Sequence, residues 1–174
     1  VEVAADGQER WGPPPPGAEL SWLDRHVLDP EITRAEVGLA RDRAFADLAG
    51  RVEHGLVVAV DYGHTRQDRP RHGTLTGNRH GAVVAPVPDG TVDLTAHVAV
   101  DTLPADDRCR QRDLLAALLG RPDLPPHDLA AREPGRYLQQ LQQVTAHRAL
   151  ADPAGPGGFW WVARGQGGVV PSLR

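Results

Sequence analysis

Three short stretches of this chain carry side chains that could do chemistry. Asp61-Tyr62-Gly63-His64 sets an acid, a phenol and an imidazole around a glycine that permits close backbone approach. A carboxylate can orient a cationic group through paired hydrogen bonds, and an imidazole can take or give a proton near neutral pH. Residues 73–77 read Gly-Thr-Leu-Thr-Gly, and residues 90–98 read Gly-Thr-Val-Asp-Leu-Thr-Ala-His-Val. In the last stretch Val92, Leu94, Ala96, Val98 and Val100 alternate with polar residues. A single strand would therefore place Asp93, Thr95, His97 and Asp101 on one face, with successive side chains about 6–7 Å apart. Such a row suits hydrogen bonding: Thr95 could hold the His97 imidazole in one tautomer, and a neighbouring carboxylate could raise its basicity. A plainer reading stands beside this one. Asp61 could cap a loop, Tyr62 could pack at a rim, His64 could be a solvated loop residue, and the polar row could be the solvent face of an edge strand.

The elements that must deliver these groups follow from periodicity. Residues 56–60 are five consecutive apolar residues, three of them valine, which suits a strand covered on both faces in a parallel α/β sheet. That puts Asp61 at the carboxyl end, where open α/β sheets bind ligands. Residues 62–90, rich in Gly, Pro, Arg, His and Asp, read as a long loop. Upstream, residues 1–5 and 9–11 read as a hairpin closed by a type I′ turn at Asp6-Gly7. Residues 12–17 form a polyproline connector, with an SH3-type ligand as a minor alternative. Residues 18–28 and 40–52 have helical spacing. Downstream come a polar loop at 104–110, a helix at 111–119 closed by Gly120, a helix at 133–147 with Pro134 in its first turn, and a terminal strand at 159–163. There is no internal repeat.

Composition narrows the function classes. A chain of 174 residues fits one domain, and 40% apolar with 24% charged residues is near the globular average. All 19 basic residues are arginine, yet the net charge is -4 and the pI about 6.0, which argues against a surface that tracks nucleic-acid phosphates. Cys109 is alone, so neither a disulfide framework nor a thiolate zinc site can be built, and a reducing cytoplasm is the natural compartment. No apolar run reaches the ~18 residues of a membrane span. His64, His72, His80 and His97 lack the close helical spacing of a hydrolytic zinc site, so no metal ligand is assigned. Ser21 and Ser172 have no nucleophile-elbow context. No Gly-x-Gly-x-x-Gly follows a strand. The chain begins Val-Glu-Val and contains no Met, which reads as the C-terminal half of a longer protein. Nothing in the sequence fixes the oligomeric state.

The three stretches, in their order, resemble the MidA-like family of S-adenosylmethionine-dependent methyltransferases. Members carry an apolar strand ending in Asp-Tyr-Gly, then Gly-Thr-Leu, then a turn into Asp-(Ile/Leu)-Thr-Ala-His-Val. A mitochondrial member, a complex I assembly factor that methylates a protein arginine, is similar even at the His after Asp-Tyr-Gly. Asp152-Pro153-Ala154-Gly155 and Gly158-Phe159-Trp160-Trp161-Val162 also resemble the family's final segment. The chain departs from the family at His97-Val98-Ala99-Val100, where members continue His-Val-Asp-Phe, and Asp101 is the nearest acid.

The resemblance implies an α/β fold: the C-terminal half of a class I, Rossmann-like methyltransferase, with a hairpin and helical insertion over 1–54 and the remaining sheet and helices over 55–174. It implies S-adenosylmethionine as cofactor, with the glycine-rich loop in an N-terminal half, so that no cofactor-binding residue is assigned and this segment alone is expected to bind cofactor weakly or not at all and to be inactive. It implies a protein substrate, methylated on arginine. Asp61 and Asp93 would orient the guanidinium, His64 or His97 would accept a proton, and Tyr62, Gly63 and Thr95 would line the substrate. Two competitors remain: a non-catalytic interaction or assembly module derived from such an enzyme, and a metal-dependent hydrolase that would use His64.

Overall fold

The structure, a computed structural model, describes residues 1–173. In chain order the elements are β1 (Glu2–Val3), β2 (Glu9–Arg10), α1 (Gly17–His26), α2 (Leu39–Gly50), β3 (Gly55–Asp61), β4 (Gly63–His64), β5 (Thr76–Arg79), β6 (Ala82–Val84), β7 (Asp93–Thr95) and β8 (Val98–Ala99). They continue with β9 (Asp107–Arg110), α3 (Gln111–Leu119), α4 (His127–Arg132), α5 (Pro134–Ala151) and β10 (Trp160–Gln166). The chain divides into two compact units that interleave in sequence: Val1–Asp47 with Gly63–Pro104, and Leu48–Tyr62 with the segment from Ala105 on.

In the first unit, β1 and β2 form the expected hairpin, but its loop has three residues. The Gly7 amide donates to Ala4 O and the Ala4 amide to Gln8 O, with Gly7 at φ +82°. This is a type I turn followed by a left-handed glycine, which closes a hairpin as well as the type I′ turn expected at Asp6-Gly7. Helix α1 buries Trp22, whose indole Nε1 donates to Asp42 Oδ2 at 2.8 Å. Asp42, in the first turn of α2, also accepts from Thr102 Oγ1 at 2.9 Å and Arg41 Nη2 at 2.8 Å. An aromatic with a polar handle is thus buried only because its N–H has a carboxylate partner.

The stretch 62–90, expected to be a loop, contains β4 and the hairpin β5–β6. His80 and Gly81 both have positive φ, at 52° and 79°, between the paired residues Arg79 and Ala82, so this turn has the backbone signs of type I′. Strand β5 also pairs antiparallel with β7, giving the sheet order β6-β5-β7. The expected continuous strand over 92–100 does not exist. β7 ends at Thr95, β8 begins at Val98 in a different sheet, and Val100–Thr102 is a 3-10 turn. Asp93, Thr95, His97 and Asp101 therefore do not share one strand face, because two different partners compete for the two ends of the segment.

The second unit is built on the sheet β3-β10-β9, antiparallel throughout, with Trp160 opposite both Asp61 and Arg110. Its core is apolar: Val57, Leu114, Leu129, Val144, Val162 and Ala163 are buried. The terminal strand, expected over 159–163, is the central one. β9 replaces the polar loop expected at 104–110. α3 ends at Gly120 (φ +70°) as its sequence requires. The expectation of a parallel strand covered on both faces fails for β3: Val57 is buried, but Leu56, Val58 and Val60 on the other face are 49%, 42% and 42% exposed. Among the described residues the ladder of β3 is with β10 alone, so one long edge and one apolar face stay uncovered.

Candidate functional site

In the second unit, Asp61 closes β3 and its Oδ1 accepts the Tyr62 amide at 2.8 Å. A carboxylate that satisfies the next backbone N–H ends the strand cleanly and fixes the start of the turn. The Tyr62 ring is tilted against Phe159, centroids 5.9 Å apart, so the phenol has a packed side. Asp61 itself is exposed.

In the first unit, β4 and β8 form a short parallel ladder, Gly63 opposite Val98 and His64 opposite Ala99. This ladder joins the Asp-Tyr-Gly-His stretch to the Thr-Ala-His-Val stretch. Gly63 is needed for the approach: a Cβ there would lie 2.2 Å from Val98 O. His64 is 6% exposed, and its ring centroid lies 6.3 Å from that of the exposed His97. The backbone amide of His97 donates to Thr74 Oγ1 at 2.9 Å.

Thr74 belongs to the Gly-Thr-Leu stretch, which is strapped to Glu36. The amides of Thr74 and Leu75 donate to Glu36 Oε1 at 2.7 and 3.1 Å, and Thr74 Oγ1 donates to Oε2 at 3.1 Å. Gly73 has φ +76°, and a Cβ there would meet Glu36 Oε1 at 2.8 Å. The chain Glu36–Thr74–His97 thereby fixes the backbone that carries the exposed imidazole. Burial pushes the Glu36 carboxyl up, but the hydrogen bonds from Thr74 and Leu75 outweigh it and hold the group below its ordinary value.

Thr95 does not hold His97. Its hydroxyl pairs with Thr76 Oγ1 at 3.1 Å and accepts from Asn78 Nδ2 at 3.4 Å across the β5–β7 ladder. Asp93 opens β7 opposite Asn78 and is exposed. Of the expected residues in this unit, the structure brings His64 and His97 together and leaves Asp93 and Thr95 on the neighbouring sheet.

The surroundings of His64 went unforeseen. Burial lowers the His64 pKa, the Arg69 and His97 charges lower it further, and Asp68 and Asp101 oppose without prevailing. The ring is therefore neutral at pH 7 and able to accept a proton. Arg69 is half-buried, its guanidinium 5.9 Å from the centre of the Trp22 ring. Its Nε and Nη2, the Nδ1 of His64 and the Oδ1 of Asp101 are all buried without a hydrogen-bond partner, while Asp101 Oδ2 accepts the Arg66 amide at 2.8 Å. Residues 66–72, Arg-Gln-Asp-Arg-Pro-Arg-His, have no apolar period, so Arg69 gave no signal in the sequence. Among the described residues, no three His, Cys, Asp or Glu side chains gather as a metal site requires, and no helix is long and apolar enough to cross a membrane.

Comparison with known proteins bears on this geometry. Residues 9–112 match the model of a family described as "Putative S-adenosyl-L-methionine-dependent methyltransferase". No match was found among curated proteins. Two Burkholderia thailandensis crystal structures share the fold at 21% identity. One, bound to S-adenosyl-homocysteine, has a TM-score of 0.61 over 96% of this chain and 46% of its own. The other, of an uncharacterised protein, has a TM-score of 0.60 over 80% of this chain and 40% of its own. The chain thus spans less than half the length of these two proteins.

Proposed function

The chain belongs to the S-adenosyl-L-methionine-dependent methyltransferase family whose model it matches, and we propose that it forms the acceptor-handling part of a Rossmann-like enzyme that methylates a protein arginine. One observation carries the reading: the β4–β8 ladder joins two of the matched stretches and sets a buried, neutral His64 beside an exposed His97. When bound, the cofactor supplies a methyl group on sulfur that an acceptor nitrogen can displace. The chain's own tasks are to orient that nitrogen and to receive the proton it loses. A guanidinium keeps its proton until transfer is under way, so a base that is neutral at pH 7 acts late in the step. In the first unit His64 and His97 suit that role, and the exposed Asp93 can pair with a guanidinium. Asp61 is assigned the same orienting task in the second unit.

The open edge and the apolar row Leu56, Val58 and Val60 of β3 favour a larger sheet, with another strand on that edge and a layer over that face. Relatives more than twice as long have chain enough to provide both, together with the glycine-rich cofactor loop. Calorimetric titration of S-adenosylhomocysteine into this chain and into a form extended to the length of the relatives tests the division of labour. Tight binding by the extended form alone is expected; equally tight binding by the short chain would overturn it. Transfer of labelled methyl to arginine peptides by the extended form should fall at least about tenfold with His97→Ala or Asp61→Asn. Transfer to lysine in place of arginine would overturn the assigned acceptor, and absence of transfer to any peptide would leave a binding module.

A further inference from the structure

We propose that the first unit carries a docking groove for a basic, extended peptide segment, running along α1 and walled by Trp11. Two concavities meet there. One, of about 470 Å³, is bounded by Val3 of β1, the stretch from Trp11 to Pro15, α1 and residues 33–37. The other, of about 260 Å³, continues along α1 past Asp24 and Val27. Leu23, Thr33, Arg34 and Ala35 line both, so the two form one trough. A compact metabolite would fill either one alone, whereas a trough suits a length of chain.

The wall at Trp11 is preformed. Trp11 is 91% exposed and leads into Pro13–Pro16, where Pro16 has φ −55° and ψ 151°, the polyproline geometry that stays extended without hydrogen-bond partners. The tract expected as a connector, or as a ligand for another protein's groove, thus contributes Pro15 to a groove of its own. An indole left this open beside Leu23, Val37 and Leu75 has the form of an interface anchor, and Trp is among the residue types most enriched where binding energy concentrates.

Charge selects the occupant. The trough's side-chain cation, Arg34, is already held by Glu9 at 2.7 Å, and the amino terminus at Val1 is the other positive group. Glu19 and Asp24, both on α1, line the trough, and among the described residues neither carboxylate has a hydrogen-bond or ion-pair partner. Glu36 adds a negative charge engaged by the Thr74 and Leu75 amides. Free carboxylates beside an open aromatic face fit guanidinium or ammonium groups: the acid pairs with the cation, the indole takes it over its ring, and apolar walls cover the methylene stem. Acidic peptides, nucleic-acid phosphates and anionic lipid surfaces would meet the same carboxylates as repulsion. Glu36 and Leu75 also tie the groove to the motif residues, because Glu36 straps Thr74, which accepts the His97 amide.

Docking stands on the groove alone; that the docked segment belongs to the methylated substrate rests on the proposed function. The test is nuclear magnetic resonance of the full chain labelled with nitrogen-15, following the Trp11 indole N–H, which is identified by its loss in Trp11→Phe. The probe is the acetylated, amidated peptide Ala-Leu-Arg-Val-Arg-Leu-Ala, added without cofactor. It should move the Trp11 signal and the Glu19 and Asp24 amides saturably, while the Trp22 indole signal, fixed by Asp42, keeps its place. Replacing both peptide arginines with Gln should weaken binding about tenfold, and replacing them with Glu should abolish it. Glu19→Gln combined with Asp24→Asn should weaken the arginine peptide about tenfold, and Trp11→Ala by about as much. The proposal is overturned if Trp11 does not respond, if the Gln peptide binds as tightly as the arginine peptide, or if the double variant binds unchanged. It is overturned too if the form extended to the length of the relatives leaves the peptide unbound, which would give the trough to another part of the chain. A Trp11 signal that moves with protein concentration alone would give it to a second copy and overturn it equally. None of these readouts involves methyl transfer, so a failed transfer assay leaves the docking result standing, and failed docking leaves the assigned base untouched.

Discussion

The two units bury different kinds of group. The second closes its sheet over Val57, Leu114, Leu129, Val144, Val162 and Ala163, and its order comes from a seven-residue ladder between β3 and β10. The first has shorter ladders and a core in which Trp22 depends on Asp42, His64 is the one buried polar side chain among the described residues, and Arg69 and Asp101 leave buried atoms unpaired. A buried N–H or oxygen without a partner costs about 1–3 kcal/mol. The second unit has isolated cases, Arg108 Nε and Trp160 Nε1, while the first gathers four such atoms on three neighbouring residues. Local rules broken together in one place mark where a protein has given up stability for a task. The family match crosses the division, since residues 9–112 take in nearly all of the first unit together with β3 and β9 of the second, and end as α3 begins.

The contrast is most easily broken at Trp22. Trp22→Ala should cost about 3–5 kcal/mol by chemical denaturation, since it removes the largest buried side chain of the first unit and orphans Asp42 Oδ2. A loss below about 1 kcal/mol would mean that the indole–carboxylate pair does not organise this unit. Next comes Gly63→Ala, where the new methyl meets Val98 O; separation of β4 from β8 should cost about 1–3 kcal/mol and speed hydrogen exchange of the His64 amide. Unchanged exchange would show that the ladder tolerates a side chain.

Glu36→Gln keeps the shape but removes the charge that strengthens three hydrogen bonds, and should cost about 1–2 kcal/mol. The charge also has a pH signature. Because the folded carboxyl lies below its ordinary 4.5, its stabilisation is fully present above that value and is lost as pH falls through the lowered one. His64 acts at higher pH and with the smallest effect. Its folded pKa is below the ordinary 6.5, so the unfolded chain takes up a proton first, and stability declines as pH drops from 6.5 toward the folded value. His64→Gln should flatten the decline in a pH series of urea midpoints. An equally steep series in that variant would assign the slope to His26, which burial also lowers.

Local signals were legible. The Asp6-Gly7 hairpin, α1 with Trp22 at its buried spacing, α3 stopped by Gly120 and α5 opened by Pro134 all depend on residues within a turn of one another. The alternation over 92–100 misled because a period of two predicts a shared face only in an unbroken strand. Here Thr95 is claimed by Thr76 and Val98 by Gly63, and the chain bends between them. β9 was hidden because Asp107-Arg108-Cys109-Arg110 has no apolar pattern; its place comes from pairing with residues some fifty positions later. The imidazole pair was legible as motif residues. The Glu36 strap, 38 residues from Thr74, and the unpaired fork of Arg69 were not, since both depend on side chains brought together by tertiary structure.

The place of β10 in the middle of its sheet has a consequence for synthesis. A ribosome delivers β3 first and β9 about fifty residues later, yet among the described residues neither meets the other; each pairs with β10. Until residue 166 has left the exit tunnel, the apolar residues of β3 wait without a ladder, at some cost in speed and in exposure to chaperones or aggregation. A chain cut short before residue 160 would therefore hold two orphan strands rather than a smaller sheet.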